Sequence, residues 1–95
     1  MAVIQVSSAP SREQYESVSK RLDLESDKPA GLILHGASEL PSGEIQIVDV
    51  WESRDALQAF AQQRLFPAFA DAEMMGTVQD NEPPTPYDVI ELVRG

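Results

Sequence analysis

The chain has 95 residues, no cysteine, one histidine, and a formal net charge of −9 at pH 7 from 16 acidic and 7 basic residues. A chain of this length forms one domain, residues 1–95, because it has no room for two independent hydrophobic cores. The lack of cysteine excludes disulfides and thiolate metal sites, and the acidic excess makes nucleic acid and anionic membranes unfavourable partners.

The first part of the chain predicts a strand followed by a helix. Residues 2–7 are rich in β-branched side chains, which is typical of a strand. Ser11 stands three residues before Gln14, the spacing of a capping box at the start of a helix. Apolar residues then recur at helical spacing, namely Tyr15, Val18 and Leu22. We therefore expect a helix that ends near Leu24.

A β-hairpin is predicted in the middle of the chain. Its strands are Gly31–Ser38 and Glu44–Glu52, both rich in leucine, isoleucine or valine. Between them, Leu40–Gly43 has proline at the second and glycine at the fourth position, which favours a type I turn. The two strands are therefore expected to pair as antiparallel neighbours.

A second helix, a loop and a last strand are predicted for the remainder. Ser53 is placed to cap the helix, whose expected buried stripe is Leu57, Phe60, Ala61, Arg64, Leu65 and Ala68. Pro67 lacks an amide hydrogen and should kink or restart this helix. Gly76–Pro86 is rich in proline and acidic residues and predicts a loop, and Tyr87–Val93 predicts the fourth strand.

The order βαββαβ predicts the fold class. With right-handed crossovers it gives an α+β ferredoxin-like sandwich, a four-stranded antiparallel sheet with two helices on one face. The strands, however, are apolar on both sides. In the second strand, one face carries Leu32 and Leu34 and the other face carries Ile33, His35 and Ala37. In the third strand, one face carries Ile45, Ile47 and Trp51 and the other carries Val48 and Val50. In the fourth strand, one face carries Val89 and Val93 and the other carries Ile90 and Leu92.

Two helices can cover only one face of this sheet, and the simplest cover for the second face is the same sheet of another copy. We therefore expect a homodimer. The alternative is that strands rich in valine and isoleucine are apolar on both sides by chance.

The segment Val48–Phe60 resembles the junction of strand three and helix two in the dimeric α+β barrel superfamily, in particular its antibiotic-biosynthesis monooxygenase-like branch. The shared features are an apolar residue three positions before Trp51, a serine (Ser53) two positions after it, and then an acidic residue. An aromatic residue also follows on the helix about nine positions after the tryptophan. The resemblance implies a homodimer whose sheets form a barrel, with a pocket between sheet and helices in each subunit. It also implies oxidation of electron-rich phenols by molecular oxygen without a cofactor.

Haem degradation, another activity of that superfamily, is not expected from the resemblance. Its members use an asparagine on strand one, a tryptophan on helix two and a histidine near the end of that helix. Here the only asparagine is Asn81 in the predicted loop, the helix aromatic is Phe60, and residues 66–73 contain no histidine.

His35 is the only histidine, so any mechanism that needs an imidazole must use it as the catalytic residue. The alternative is a packed, hydrogen-bonded histidine inside a buried layer. Asp49 shares a face with Trp51, an unusual place for a carboxylate, and Arg64 in the helix stripe could reach Asp49 or Glu91. These charges form either a structural ion pair or a polar group that binds an anionic or phenolic ligand.

The remaining candidates for a ligand pocket are aromatic. Tyr15 and Trp51 could line it, since phenol and indole groups supply polar handles, or they could simply anchor the first helix and the hairpin. Phe60, Phe66 and Phe69 are expected in the core or at the rim of the dimer, and Phe60 is also a candidate for the pocket. The pocket residues predicted beside His35 are thus Tyr15, Asp49, Trp51, Phe60 and Arg64.

Three functions remain open at this point. The first is a dimeric barrel protein that binds a small apolar or aromatic ligand; the second is a monooxygenase-like enzyme in which His35 removes a phenolic proton; the third is a purely structural or regulatory dimer. No cofactor and no metal are expected, because one histidine without cysteine cannot build a typical zinc site. The N-terminus shows no signal-peptide pattern and no apolar run reaches ~20 residues, so a cytoplasmic location is expected.

Overall fold

The computed structural model describes residues 1–71 and 84–93, and it confirms the predicted α+β ferredoxin-like fold. Its elements are β1 (Val3–Ala9), α1 (Arg12–Leu22), β2 (Leu32–Glu39), β3 (Ile45–Trp51), α2 (Arg54–Phe60), a π-helical turn (Ala61–Leu65), α3 (Phe66–Asp71) and β4 (Tyr87–Asp88). The strands form one antiparallel sheet in the order β2-β3-β1-β4. None of the helices in these two ranges is long and apolar enough to cross a membrane.

Helix α1 begins as predicted and ends earlier. The Ser11 hydroxyl accepts a hydrogen bond from the Gln14 amide at 3.3 Å. At the other end, Asp23 adopts a left-handed conformation with φ 48°, and its amide donates to the Ser19 carbonyl at 2.9 Å. This left-handed cap ends the helix at Leu22, so the expected end near Leu24 is wrong by two residues.

The central hairpin is confirmed, with one difference inside β2. The Gly43 amide donates to the Leu40 carbonyl at 2.9 Å, the bond expected of the predicted turn. In β2 the pairing shifts between Leu32 and Leu34, which face Trp51 and Val50 across the ladder. Ile33 is therefore an extra residue, a β-bulge, and Leu32 and Leu34 lie on opposite faces rather than on one face as predicted.

The second helix changes its winding just before Pro67. Ser53 caps it as predicted, with its hydroxyl accepting from the Ala56 amide at 3.1 Å. The π-helical turn follows α2, and a regular α-helix restarts at Phe66, which places Pro67 in the first turn of α3. The Phe66 amide donates to the Ala61 carbonyl, five residues earlier, so the winding is continuous up to Pro67, which has no amide hydrogen to donate. Of the predicted stripe, Leu57, Phe60 and Ala68 are buried, whereas Ala61, Arg64 and Leu65 are only partly buried.

The core lies between the sheet and the second helix. Val3 and Trp51 face each other across the β1–β3 ladder and are the two most completely buried large side chains. They pack with Leu57 and Phe60 of α2, and the ring centroids of Trp51 and Phe60 are 5.0 Å apart. Residues that alternate with Val3 and Trp51 along the strands therefore define the helix-facing side of the sheet.

Strand β4 is much shorter than the predicted Tyr87–Val93. Only Tyr87 and Asp88 pair with β1, opposite Ile4 and Val3. Because β1 begins at Val3, the residues after Asp88 have no strand residue opposite them. One backbone hydrogen bond, from the Val89 amide to the Ala2 carbonyl, follows the last ladder pair. Ile90 is fully exposed. The expected division of Val89 and Val93 against Ile90 and Leu92 therefore does not arise, and the predicted loop Gly76–Pro86 lies outside the described residues except for its last three.

Candidate functional site

The helix-facing side of the sheet carries a chain of three polar side chains. His35 of β2 pairs with Asp49 of β3 in the ladder, and the His35 Nδ1 lies 2.5 Å from the Asp49 Oδ1. On the opposite side of the ring, the His35 Nε2 lies 2.9 Å from the hydroxyl of Tyr15 on α1. Three elements that are far apart in sequence thus place a carboxylate, an imidazole and a phenol in one line.

The roles of the two ring nitrogens follow from their partners. An ionised carboxylate can only accept hydrogen bonds, so Nδ1 of His35 carries a proton and donates it to Asp49. In the neutral ring Nε2 is then an acceptor, and the Tyr15 hydroxyl donates to it. The hydrogen bond to Asp49 raises the pKa of His35 above its ordinary value of 6.5, although burial acts in the opposite direction. Burial raises the pKa of Tyr15, which keeps its phenol protonated.

This arrangement is the geometry of an oriented general base. Asp49 fixes the ring and its tautomer, and Nε2 presents a lone pair to a hydroxyl. The His35 side chain is 25% exposed, so the ring is reachable from solvent. All three residues are candidates from the sequence, but the pairing of His35 with Asp49 is a finding of the structure. Counting outward from the predicted turn Leu40–Gly43 would bring residue 35 opposite residue 48. In the structure the Leu40 amide donates to the Glu44 carbonyl, which moves the register by one residue and places His35 opposite Asp49, so the turn alone does not predict this pair.

Arg64 does not reach Asp49 or Glu91, so that expectation is wrong. Its guanidinium donates to the Leu22 carbonyl at the end of α1 at 2.7 Å and lies 3.5 Å from the Asp27 carboxylate. The same group sits 5.8 Å from the centre of the Phe60 ring. The π-helical turn that carries Arg64 directs it toward the end of α1 instead of toward the sheet.

Trp51 belongs to the core, as the anchoring interpretation predicts. Its side chain is 1% exposed, and its Nε1–H finds no acceptor among the residues that the structure describes. Trp51 is therefore too enclosed to contact a ligand in this conformation. The predicted pocket residues fall into two groups, one formed by Tyr15, His35 and Asp49 and the other by Trp51, Phe60 and Arg64.

A cavity of about 280 Å³ lies beside the second group. It is enclosed by the loop between α1 and β2 on one side and by α2 and the π-helical turn on the other. Phe60 and Arg64 line it, whereas Tyr15, His35, Asp49 and Trp51 do not. The predicted pocket residues thus lie in two places, a polar chain at the sheet and a cavity lined by the loop before β2, by α2 and by the π-helical turn.

The chain matches no known protein-family profile, and no curated protein matches it in sequence. Solved structures do resemble it. A protein from Mycobacterium tuberculosis superposes with a TM-score of 0.64 at 14% identity, over 99% of this chain and 98% of that one. A candidate antibiotic biosynthesis monooxygenase from Deinococcus radiodurans gives 0.60 at 16% identity over 99% and 97%. Another, from Chloroflexus aurantiacus, gives 0.58 at 16% identity over 77% and 79%.

These likenesses define the class of fold. The chain is a small ferredoxin-like α+β protein with the architecture of the monooxygenase-like proteins that the segment Val48–Phe60 resembles, and that resemblance is confirmed at the level of the fold. Because one fold hosts many unrelated activities, what this chain does must be argued from its own side chains.

Proposed function

We propose that the chain is a monooxygenase-like enzyme that binds a small phenolic compound on the helix-facing side of the sheet, with His35 as the general base. The observation that carries this proposal is the line Asp49–His35–Tyr15, with 2.5 Å and 2.9 Å between its hydrogen-bonded atoms. The structural likeness to candidate monooxygenases supports the type of reaction. A cytoplasmic location is part of the same proposal.

The Tyr15 hydroxyl marks the position of the substrate. A phenolic oxygen already sits 2.9 Å from Nε2 with the geometry of a proton donor, so the hydroxyl of a phenolic ligand can take the same place once Tyr15 turns aside. The proton then passes from the ligand oxygen to Nε2, and Asp49 stabilises the imidazolium that forms. The enclosing helix lowers the local dielectric and strengthens this ion pair.

Removal of the proton prepares the ring for oxygen. A phenolate is much richer in electrons than a phenol and is therefore the form that reacts with dioxygen. The overall reaction converts the phenol and O₂ to a quinone and water: one oxygen atom stays on the ring, the other leaves as water with two hydrogens, and the ring supplies the electrons. The protein needs to contribute only binding, orientation and the base.

Replacement of His35 by alanine tests the proposed base. We expect His35→Ala to reduce oxygen uptake with polycyclic phenols by about 10²–10⁴-fold, the usual contribution of a positioned general base, and added imidazole to restore part of the rate. Ser38→Ala, an exposed change on the opposite face of the same strand, should leave the rate unchanged. An unaltered rate in folded His35→Ala, or no oxygen uptake by the wild type across a panel of such phenols, would contradict the proposal.

The pH profile separates a base from a merely structural histidine. The neutral ring is the active form, so activity should rise as the pH increases through the pKa of His35, which lies above 6.5 because of Asp49. Asp49→Asn removes the interaction that raises this pKa, and the rise in activity should therefore move to lower pH. If Asp49→Asn leaves the pH dependence of the activity unchanged, His35 is not the titrating group.

We also propose that the protein is a homodimer through the sheet face that the helices leave open. One row of side chains on this face crosses all four strands, namely Tyr87, Ile4, Val50 and Leu34. Val6 lies in the next row, and Val6 and Leu34 are 54% and 53% exposed. Val50 is already buried within one chain, and a second copy of the same face would remove Tyr87, Val6 and Leu34 from water, at roughly 800 Å² per partner in a standard interface.

Replacement of Leu34 by aspartate tests the dimer. An unpaired carboxylate buried in an interface costs about 3–5 kcal/mol, so Leu34→Asp should weaken the dimer by a hundredfold or more. Phe66→Asp introduces the same charge at an exposed apolar residue of α3, on the helical side of the sheet, and should leave the dimer intact. Native mass spectrometry at micromolar concentration provides the measurement, and a wild-type mass equal to the 10.4 kDa chain would overturn the proposal.

A further inference from the structure

The 280 Å³ cavity between the loop that precedes β2 and the second helix has both apolar and polar lining, the polar residues being Asp27, Lys28, Gln63 and Arg64. Pro29 and Ala30 of the loop form one wall, Ala56 and Ala59 of α2 form the other, and Phe60 lies between them. The cavity is half open to solvent, and its volume is just below the usual range for drug-sized ligands, so it suits a compound with a single ring.

Arg64 supplies the partly buried positive charge of this cavity, whereas Lys28, which also lines it, is exposed. The guanidinium is only 24% exposed, donates to the Leu22 carbonyl and lies against Phe60. A partly desolvated guanidinium binds a carboxylate more strongly than an exposed one, through two parallel hydrogen bonds. Only one nitrogen of the Arg64 guanidinium, Nη2, has a partner within residues 1–71 and 84–93.

The carboxylate that approaches Arg64 within the described residues is weakly held. Asp27 lies 3.5 Å from the guanidinium, beyond a normal hydrogen bond, and its side chain is 78% exposed. Exposed ion pairs of this kind contribute little stability. Asp27 therefore occupies the charged end of the cavity without closing it, as a competitor that a ligand can displace.

Arg64 also has space to adjust. A second cavity of about 370 Å³ lies on its other side, lined in part by Leu22, Pro67 and Ala68. Arg64 and Asp27 border both cavities. The side chain can thus rotate toward a ligand in the first cavity without displacing residues of the core.

We propose that this cleft binds a small aromatic carboxylate, with the ring between the alanine and proline walls and the carboxylate paired with Arg64 in place of Asp27. This site is separate from the proposed reaction at His35, because none of its lining residues belongs to the Tyr15–His35–Asp49 line. A single negative charge is favoured over several, since Asp27 stays close and the chain as a whole is acidic.

Titration with benzoate, followed by NMR of the backbone amides, tests the site. We expect shifts at residues 27–30 and 56–64 and a Kd in the millimolar range. Asp27→Asn removes the competing carboxylate and should tighten binding by about three- to tenfold, whereas Arg64→Gln should weaken it at least tenfold. Benzamide, the neutral analogue of the same shape, should bind at least tenfold more weakly than benzoate.

Two controls keep these outcomes interpretable. Asp71→Asn removes a carboxylate that pairs with Arg21 at the second cavity, and it should leave benzoate affinity unchanged. Arg64→Lys keeps the positive charge if Arg64→Gln fails to fold, and it should give an intermediate loss because lysine cannot form the paired hydrogen bonds. The proposal is overturned if Asp27→Asn does not tighten binding, if benzamide binds as well as benzoate, or if the shifts cluster around His35 instead.

Discussion

Trp51→Ala is expected to destabilise the protein by about 3–5 kcal/mol, the usual loss for removing a buried tryptophan. The Trp51 side chain is 1% exposed, and the centroids of the Trp51 and Phe60 rings are 5.0 Å apart. The same core also contains the buried side chains of Val3 and Leu57. The total stability of a domain of this size is about 5–15 kcal/mol, so this single change removes a large part of it. Urea unfolding at a fixed protein concentration measures the loss.

Trp51→Phe is the matched variant. It retains an aromatic ring against Phe60 and removes the buried Nε1–H that finds no acceptor in the described part of the chain. An unpaired buried donor carries a penalty of about 1–3 kcal/mol, and its removal offsets part of the lost packing. We therefore expect Trp51→Phe to cost less than half as much as Trp51→Ala. Equal losses would show that the indole makes a polar contact in solution.

Gly31→Ala is expected to cost about 2–4 kcal/mol for two separate reasons. Gly31 has φ 85°, a conformation that strains any residue with a side chain. In addition, a Cβ at this position would lie 2.5 Å from the Cβ of Ala56, so either β2 or α2 must shift. Thermal unfolding of the variant at the wild-type concentration gives the size of the loss.

Two further variants separate these causes. Gly43 has φ 94° but open space around its Cα, so Gly43→Ala should show the backbone strain alone, about 1 kcal/mol. Ala56→Gly removes the atom that the new Cβ would strike. The double variant Gly31→Ala/Ala56→Gly should therefore be more stable than the sum of its single changes predicts. Strict additivity would mean that the two elements do not touch in solution.

Local signals in the sequence were sufficient for most of the fold. Ser11 and Ser53 mark helix starts through hydrogen bonds to amides three residues away, and proline and glycine mark the hairpin turn; each is a property of a few adjacent residues. Pro67 likewise predicts the interruption of the second helix. The extent of β4 was not predictable in this way, because Tyr87–Val93 has strand-like composition throughout, and its length depends on where β1 begins.

In the candidate site, too, some features can be predicted from local residues and others depend on distant parts of the fold. His35, Tyr15 and Asp49 stand out by type and position, and the structure brings them together. Regular helical spacing through residues 61–65 predicts the wrong partners for Arg64, because the structure has a π-helical turn there. A change of winding redirects every side chain that follows, and no residue pattern in this segment announces it beyond the nearby proline.

The extra residue Ile33 in β2 determines how His35 should be recognised in other proteins. In an uninterrupted strand, residue 35 would share a side with residue 33 and alternate with Leu32 and Leu34; with the bulge it follows Leu32 onto the helix-facing side. An alignment at 14–16% identity that leaves no gap for Ile33 will match His35 to an outward-facing residue one position away. The counterpart of His35 is found more safely by starting from the residue that matches Asp49 and crossing the sheet.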